Sequence, residues 1–113
     1  MRRRARFDRN PRARVDRSEV HGRGLFARAP IGAGDYIGRY DGATTEDDGT
    51  HVLWVEQDDG RWVGIDGDNE MRFLNHSDTP NAEFDGLDCY ALTDIAPDEE
   101  ILIDYGPWFT DPD

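Results

Sequence analysis

A chain of 113 residues holding one cysteine, Cys89, excludes an internal disulfide and a cysteine-rich zinc cluster, and its length fits one domain burying roughly 65% of its unfolded surface. No apolar run nears the roughly 20 residues of a membrane span, and the basic start lacks the apolar stretch of a secretory signal; a soluble, cytoplasmic protein is expected. The net charge of −12 is unevenly spread: residues 1–17 carry eight Arg and two Asp, whereas residues 18–113 carry five Arg and 23 Asp or Glu.

An acidic body attracts cationic ligands and repels nucleic acid, so nucleic acid is not an expected partner. Residues 1–11 form a basic arm, expected to be disordered or to lie on the chain's own acidic face. Short β-like stretches follow in chain order: Arg12–Asp16, Gly24–Ala27, Asp35–Tyr40, His51–Glu56, Arg61–Ile65, Ala82–Phe84, Asp88–Leu92 and Glu100–Ile103. Thr44–Thr50 reads as a turn, and Asp58-Asp59-Gly60 as a hairpin connection. Asp68–Leu74 fits one helical turn capped by Asp68 or Asn69. With 12 Gly and 6 Pro, long helices are disfavoured, and the expectation is a mainly β, irregular, compact domain over 12–109 with a short tail, 110–113.

Three motifs carry chemistry. In His21-Gly22-Arg23-Gly24-Leu25-Phe26, two glycines around one residue allow backbone to approach a ligand closely, although no third glycine or helix pattern completes a dinucleotide fingerprint. Arg72-Phe73-Leu74-Asn75-His76-Ser77, followed by Pro80-Asn81, is a polar loop after an apolar turn; by composition alone it is an Asx-rich loop, and one His without a cysteine partner makes a poor metal site. In Glu99-Glu100-Ile101-Leu102-Ile103-Asp104-Tyr105-Gly106 an apolar strand delivers a Tyr beside a Gly, ahead of Trp108 and Phe109. Alone, Tyr105 reads as a core-edge aromatic.

Taken together, and in this order, the three motifs resemble the SET-domain lysine methyltransferases over about Arg12–Phe109. Tyr36-Ile37 leading to Tyr40-Asp41-Gly42, Ile65-Asp66-Gly67 and Ala91-Leu92-Thr93-Asp94-Ile95 fall in the family's sequence between them. The resemblance implies a β-clip fold of several small sheets, with the C-terminal strand in a pseudoknot-like crossing that brings Asn75 and His76 against Tyr105. It implies S-adenosylmethionine as cofactor, held by backbone at Gly22, Arg23 and Gly24, by Asn75 and His76, and by Tyr105. Trp108 would stack on adenine or close the channel. Tyr105 matches the family's catalytic Tyr, and Tyr40 its channel Tyr; Trp54 and Ile103 complete the expected lysine channel.

The implied substrate is a lysine-bearing protein, basic in character, and pairing with a second copy is expected for so short a member. All 13 basic side chains are Arg, so a lysine-modifying activity could not act on its own side chains. Acids are expected at the channel rim and none inside, because a carboxylate near the amine would hold its proton. Ala43 stands where the family usually has Glu, and Ile103 where it often has Phe or Tyr. Rival expectations are a catalytically silent peptide- or cofactor-binding module of the same fold, and a nucleic-acid accessory protein driven by residues 1–17.

Overall fold

The computed structural model describes residues 9–47 and 52–105. The chain enters through Asn10, the end of the expected basic arm. Its side-chain oxygen accepts the N–H groups of Arg12 and Ala13, and its amide donates to the Ile37 carbonyl at 3.1 Å. From there the described residues form β1 (Ala13–Arg17), β2 (Arg23–Ala27), β3 (Tyr36–Arg39), β4 (Gly42–Thr45), β5 (Val52–Glu56), β6 (Trp62–Gly67), a single 3₁₀ turn (Glu70–Phe73), β7 (Asn75–His76), β8 (Ala82–Asp85), β9 (Asp88–Ala91) and β10 (Glu100–Ile103). None of their helices is long and apolar enough to cross a membrane.

The strands make three small sheets, ordered β1-β2-β10-β7, β3-β9-β8 and β4-β6-β5. Their buried faces meet in one shared hydrophobic core. Leu25, Ile37, Met71, Cys89, Ile95 and Ile101 are all nearly inaccessible. Burying an aliphatic side chain of this size contributes about 1.5–3 kcal/mol. The β5–β6 hairpin turns at Asp58-Asp59-Gly60 as expected, with Glu56 opposite Trp62. Asn69 caps the 3₁₀ turn, its side chain accepting the Met71 N–H.

Two segments differ from the sequence expectation. Thr44 and Thr45 belong to strand β4 rather than a turn, because they pair with Ile65 and Gly64 of β6. Asn75 and His76, expected in a loop, form a two-residue strand because β10 lies parallel beside them, Leu102 opposite Asn75 and Ile103 opposite His76. On its other edge β10 pairs antiparallel with β2, Glu100 opposite Phe26.

The crossing is closed by the loop after β7. The Ser77 and Asn81 N–H groups donate to the carbonyls of Ile103 and Leu102. The Asn81 side chain then accepts the Leu102 N–H at 2.8 Å and donates to the Glu100 carbonyl at 2.9 Å. One amide side chain thereby stands in for part of a strand, which is the physical use of the Pro80-Asn81 dipeptide.

The Cys89 thiol and the Tyr40 phenol are both pushed up to about 12, chiefly by burial. In the unfolded chain a thiol loses its proton from about pH 8.5 and a phenol from about pH 10, so folded protein holds more protons above those values. Stability from both groups is therefore complete at neutral pH and is lost as pH rises toward 12. The melting temperature should be flat through neutral pH and fall from about pH 9, and Cys89 should react with a thiol reagent only on unfolding.

Candidate active site

The crossing puts the second and third motifs in contact. The Tyr105 N–H donates to His76 Nδ1 at 3.0 Å, and the two rings lie edge to face with centroids 5.3 Å apart. Since Nδ1 accepts, the ring proton of neutral His76 sits on Nε2, which faces Asp78 Oδ1 at 2.9 Å. The Tyr105 ring is open on one side (43% exposed), but its hydroxyl turns inward and donates to the Leu74 carbonyl.

The first motif is tied to the same point through Asn75. Its side-chain amide, 8% exposed as a residue, faces the carbonyls of His21 at 3.1 Å and Arg23 at 3.0 Å, Ser18 Oγ at 3.2 Å and Glu100 Oε2 at 2.9 Å. Two amide protons are thus shared among four acceptors. Ser18 shapes the loop from inside: its hydroxyl donates to Glu100 at 2.8 Å and accepts the N–H groups of Val20 and His21. Gly22 closes the turn at φ +45°, where a side chain is disfavoured, and its carbonyl accepts the Ser18 N–H. Gly24 is required for a different reason: a Cβ there would fall on the Glu100 carboxylate.

Tyr40 approaches from the end of β3. It is 6% exposed, packs edge to face on Phe84 with centroids 5.8 Å apart, and presses its ring against Gly67. Its phenol proton is held first by burial and then by the neighbouring Tyr105. Burial, then the Glu100 charge, raises Tyr105 as well. Both hydroxyls remain neutral at physiological pH. A Cβ at Gly67 would meet Tyr40 Oη at 2.5 Å. Gly67→Ala should therefore displace Tyr40 and cost about 1–3 kcal/mol, measurable as a lowered melting temperature.

Gly22, Arg23, Gly24, Asn75, His76 and Tyr105 are thus assembled in one place, and Tyr40 stands beside Tyr105. Ile103 is buried in β10, opposite His76. Trp54 lies mid-β5 opposite Gly64, on the face of its sheet away from Ile65. Trp108 lies outside the described residues, as do Gly106 and Phe109. Three participants were not foreseen: Ser18, the Leu74 carbonyl and Glu100. Ser18, four residues before Gly22, carried a weak turn signal; Glu100 carried none, because its place under Gly24 follows from the β10–β2 register. Acids were expected only at the rim, yet the half-buried Glu100 carboxylate is near enough for its charge to reach Tyr105. Among the described residues no group of three or more His, Cys, Asp or Glu is placed to hold a metal ion.

Comparison with known proteins places the fold in a family. Residues 22–106 match the family model described as the SET domain, and the chain belongs to that family. Its fold is similar to part of the Chaetomium thermophilum polycomb repressive complex 2 (TM-score 0.73, 18% identity, covering 86% of this chain and 15% of that one). It is similar to the methyltransferase domain of human histone-lysine N-methyltransferase SETMAR (0.71, 25%, 82% and 44%). It is also similar to the methyltransferase domain of human PR domain-containing protein 2 (0.67, 23%, 90% and 79%). The chain spans less than half the length of the first two. No curated protein sequence matches it.

Proposed function

We propose that this protein is a protein-lysine N-methyltransferase using S-adenosylmethionine. The observation that carries the reading is the convergence on Asn75-His76: one side chain ties down the backbone at residues 21–23, and the next anchors Tyr105. The cradle fits the cofactor. The half-buried Glu100 carboxylate fills the space that Gly24 leaves by lacking a Cβ, and its negative charge beside the 21–24 loop suits a ligand bearing a sulfonium and an ammonium. Gly22, Arg23, Gly24, Asn75 and His76 would hold it, with Trp108 standing in for the family's absent cysteine-rich zinc module. When bound, the cofactor supplies an activated methyl group on a cationic sulfur.

The chain's own residues then have to orient a neutral amine. A free lysine is neutral about once in a thousand near pH 7.4, a cost of about 4 kcal/mol. Packing the side chain among Tyr40, Ile103 and Tyr105 disfavours the ammonium by desolvation. The Tyr105 proton is committed to the Leu74 carbonyl, so its oxygen acts as acceptor for an amine N–H and turns the nitrogen lone pair toward the reacting centre. Neither tyrosine acts as a base, because burial keeps both protonated.

The test is transfer of a labelled methyl group from S-adenosylmethionine to proteins of a cell extract, followed by mass spectrometry. A label on lysine of a basic protein is expected. Cofactor binding with no labelled protein would overturn the reading in favour of a silent binding module.

A further inference from the structure

The β4-β6-β5 sheet has a second face on which the expected lysine channel claims only Trp54. Strand alternation and register put Trp62, Gly64 and Asp66 of β6 on that face, beside Glu56, Trp54 and Val52 of β5. The opposite face, with Leu53, Val63 and Ile65, packs against the core. Trp62 is 61% exposed, more than any other exposed large apolar residue among the described residues. Indoles are enriched at contact surfaces, where an apolar ring carries a polar N–H at its edge.

Charge says what kind of partner fits. Residues 52–67 carry Glu56, Asp58, Asp59 and Asp66 against the single cation Arg61, which pairs with Asp59 at 2.8 Å. Glu56 lies directly opposite Trp62 on the hairpin, and Asp66 lies two residues beyond Gly64 on the same strand. An exposed indole flanked by carboxylates suits an arginine or lysine side chain, stacked on the ring and paired at its head. The strip ends close to the candidate site: Gly67, the residue after Asp66, touches Tyr40 from the core face, and the Asp66 charge reaches the Tyr40 phenol.

We infer that this outer face is a docking track for an extended, positively charged segment of the substrate protein flanking the target lysine, with Trp62 as its stacking residue and Glu56 and Asp66 as its charge partners. The inference rests on the methyltransferase reading for its meaning. The surface itself is testable without turnover.

The probe is a synthetic lysine-free nonapeptide with four arginines around a central glutamine, titrated calorimetrically into the full chain. Wild type should bind, with affinity falling as salt rises. Trp62→Ala should weaken binding at least fivefold, Trp62→Phe should recover part of the loss, and Glu56→Gln with Asp66→Asn should flatten the salt dependence. In parallel, methylation of N-acetyl-lysinamide should have the same kcat in wild type and Trp62→Ala, since that substrate has no flanks. No binding by wild type, or equal binding by wild type and Trp62→Ala, overturns the inference. So does a Trp62→Ala change confined to the monomer–dimer equilibrium, which would give the face to a second copy. Trp62-dependent peptide binding by a protein that transfers no methyl group supports the track and overturns only the methyltransferase reading.

Discussion

Tyr105→Phe should bind S-adenosylmethionine nearly as well as wild type while transferring methyl groups about a hundred to a thousand times more slowly. The ring would remain against His76, because that contact is made by the ring and by the main-chain N–H, neither of which the substitution touches. What disappears is the hydroxyl that bonds the Leu74 carbonyl, whose oxygen would orient the amine in the proposed reaction. Cofactor affinity by calorimetry, set against single-turnover rates, separates the two effects. An unchanged rate would remove Tyr105 from the chemistry.

The second large effect is expected at Asn75. Asn75→Ala would strip the carbonyls of His21 and Arg23, and the half-buried Glu100 carboxylate, of a shared donor at one stroke. Leaving buried polar groups unsatisfied costs about 1–3 kcal/mol each, so a loss of about 3 kcal/mol and a melting temperature lower by about 10–15 °C are expected. Cofactor binding should fall with it, since the loop at residues 21–24 is held in shape from this side chain. Ser18→Ala, which removes one neighbour of the same network, should give a smaller loss in both measurements. Equal losses for the two variants would place the hub at Ser18 instead.

The fold was legible wherever local pattern and tertiary pairing agree. Strands β2, β6 and β10 announce themselves by apolar or β-branched residues, and Asn69 by its capping chemistry. β7 did not: two polar residues carry no strand signal, and only the parallel neighbour makes them one. The same holds for Thr44 and Thr45, whose turn-like neighbours Glu46 and Asp47 outweigh a pairing visible only in three dimensions. At the site, Asn75, His76 and Tyr105 could be picked out because their motifs are distinctive. Glu100 could not, since a glutamate at the start of a strand is ordinarily solvated, and its role arises from the absence of a Cβ at Gly24.

Because β10 sits between β2 and β7, its docking couples residues near 25 with residues near 101 and fixes the 75–81 segment in the same step. Contacts so distant along the chain make for slow folding. Until that last strand arrives, Tyr105 has no His76 to lean on and Asn75 has no Glu100 beside it. The candidate site therefore assembles only when β10 docks, and a chain without that pairing holds no partial version of it.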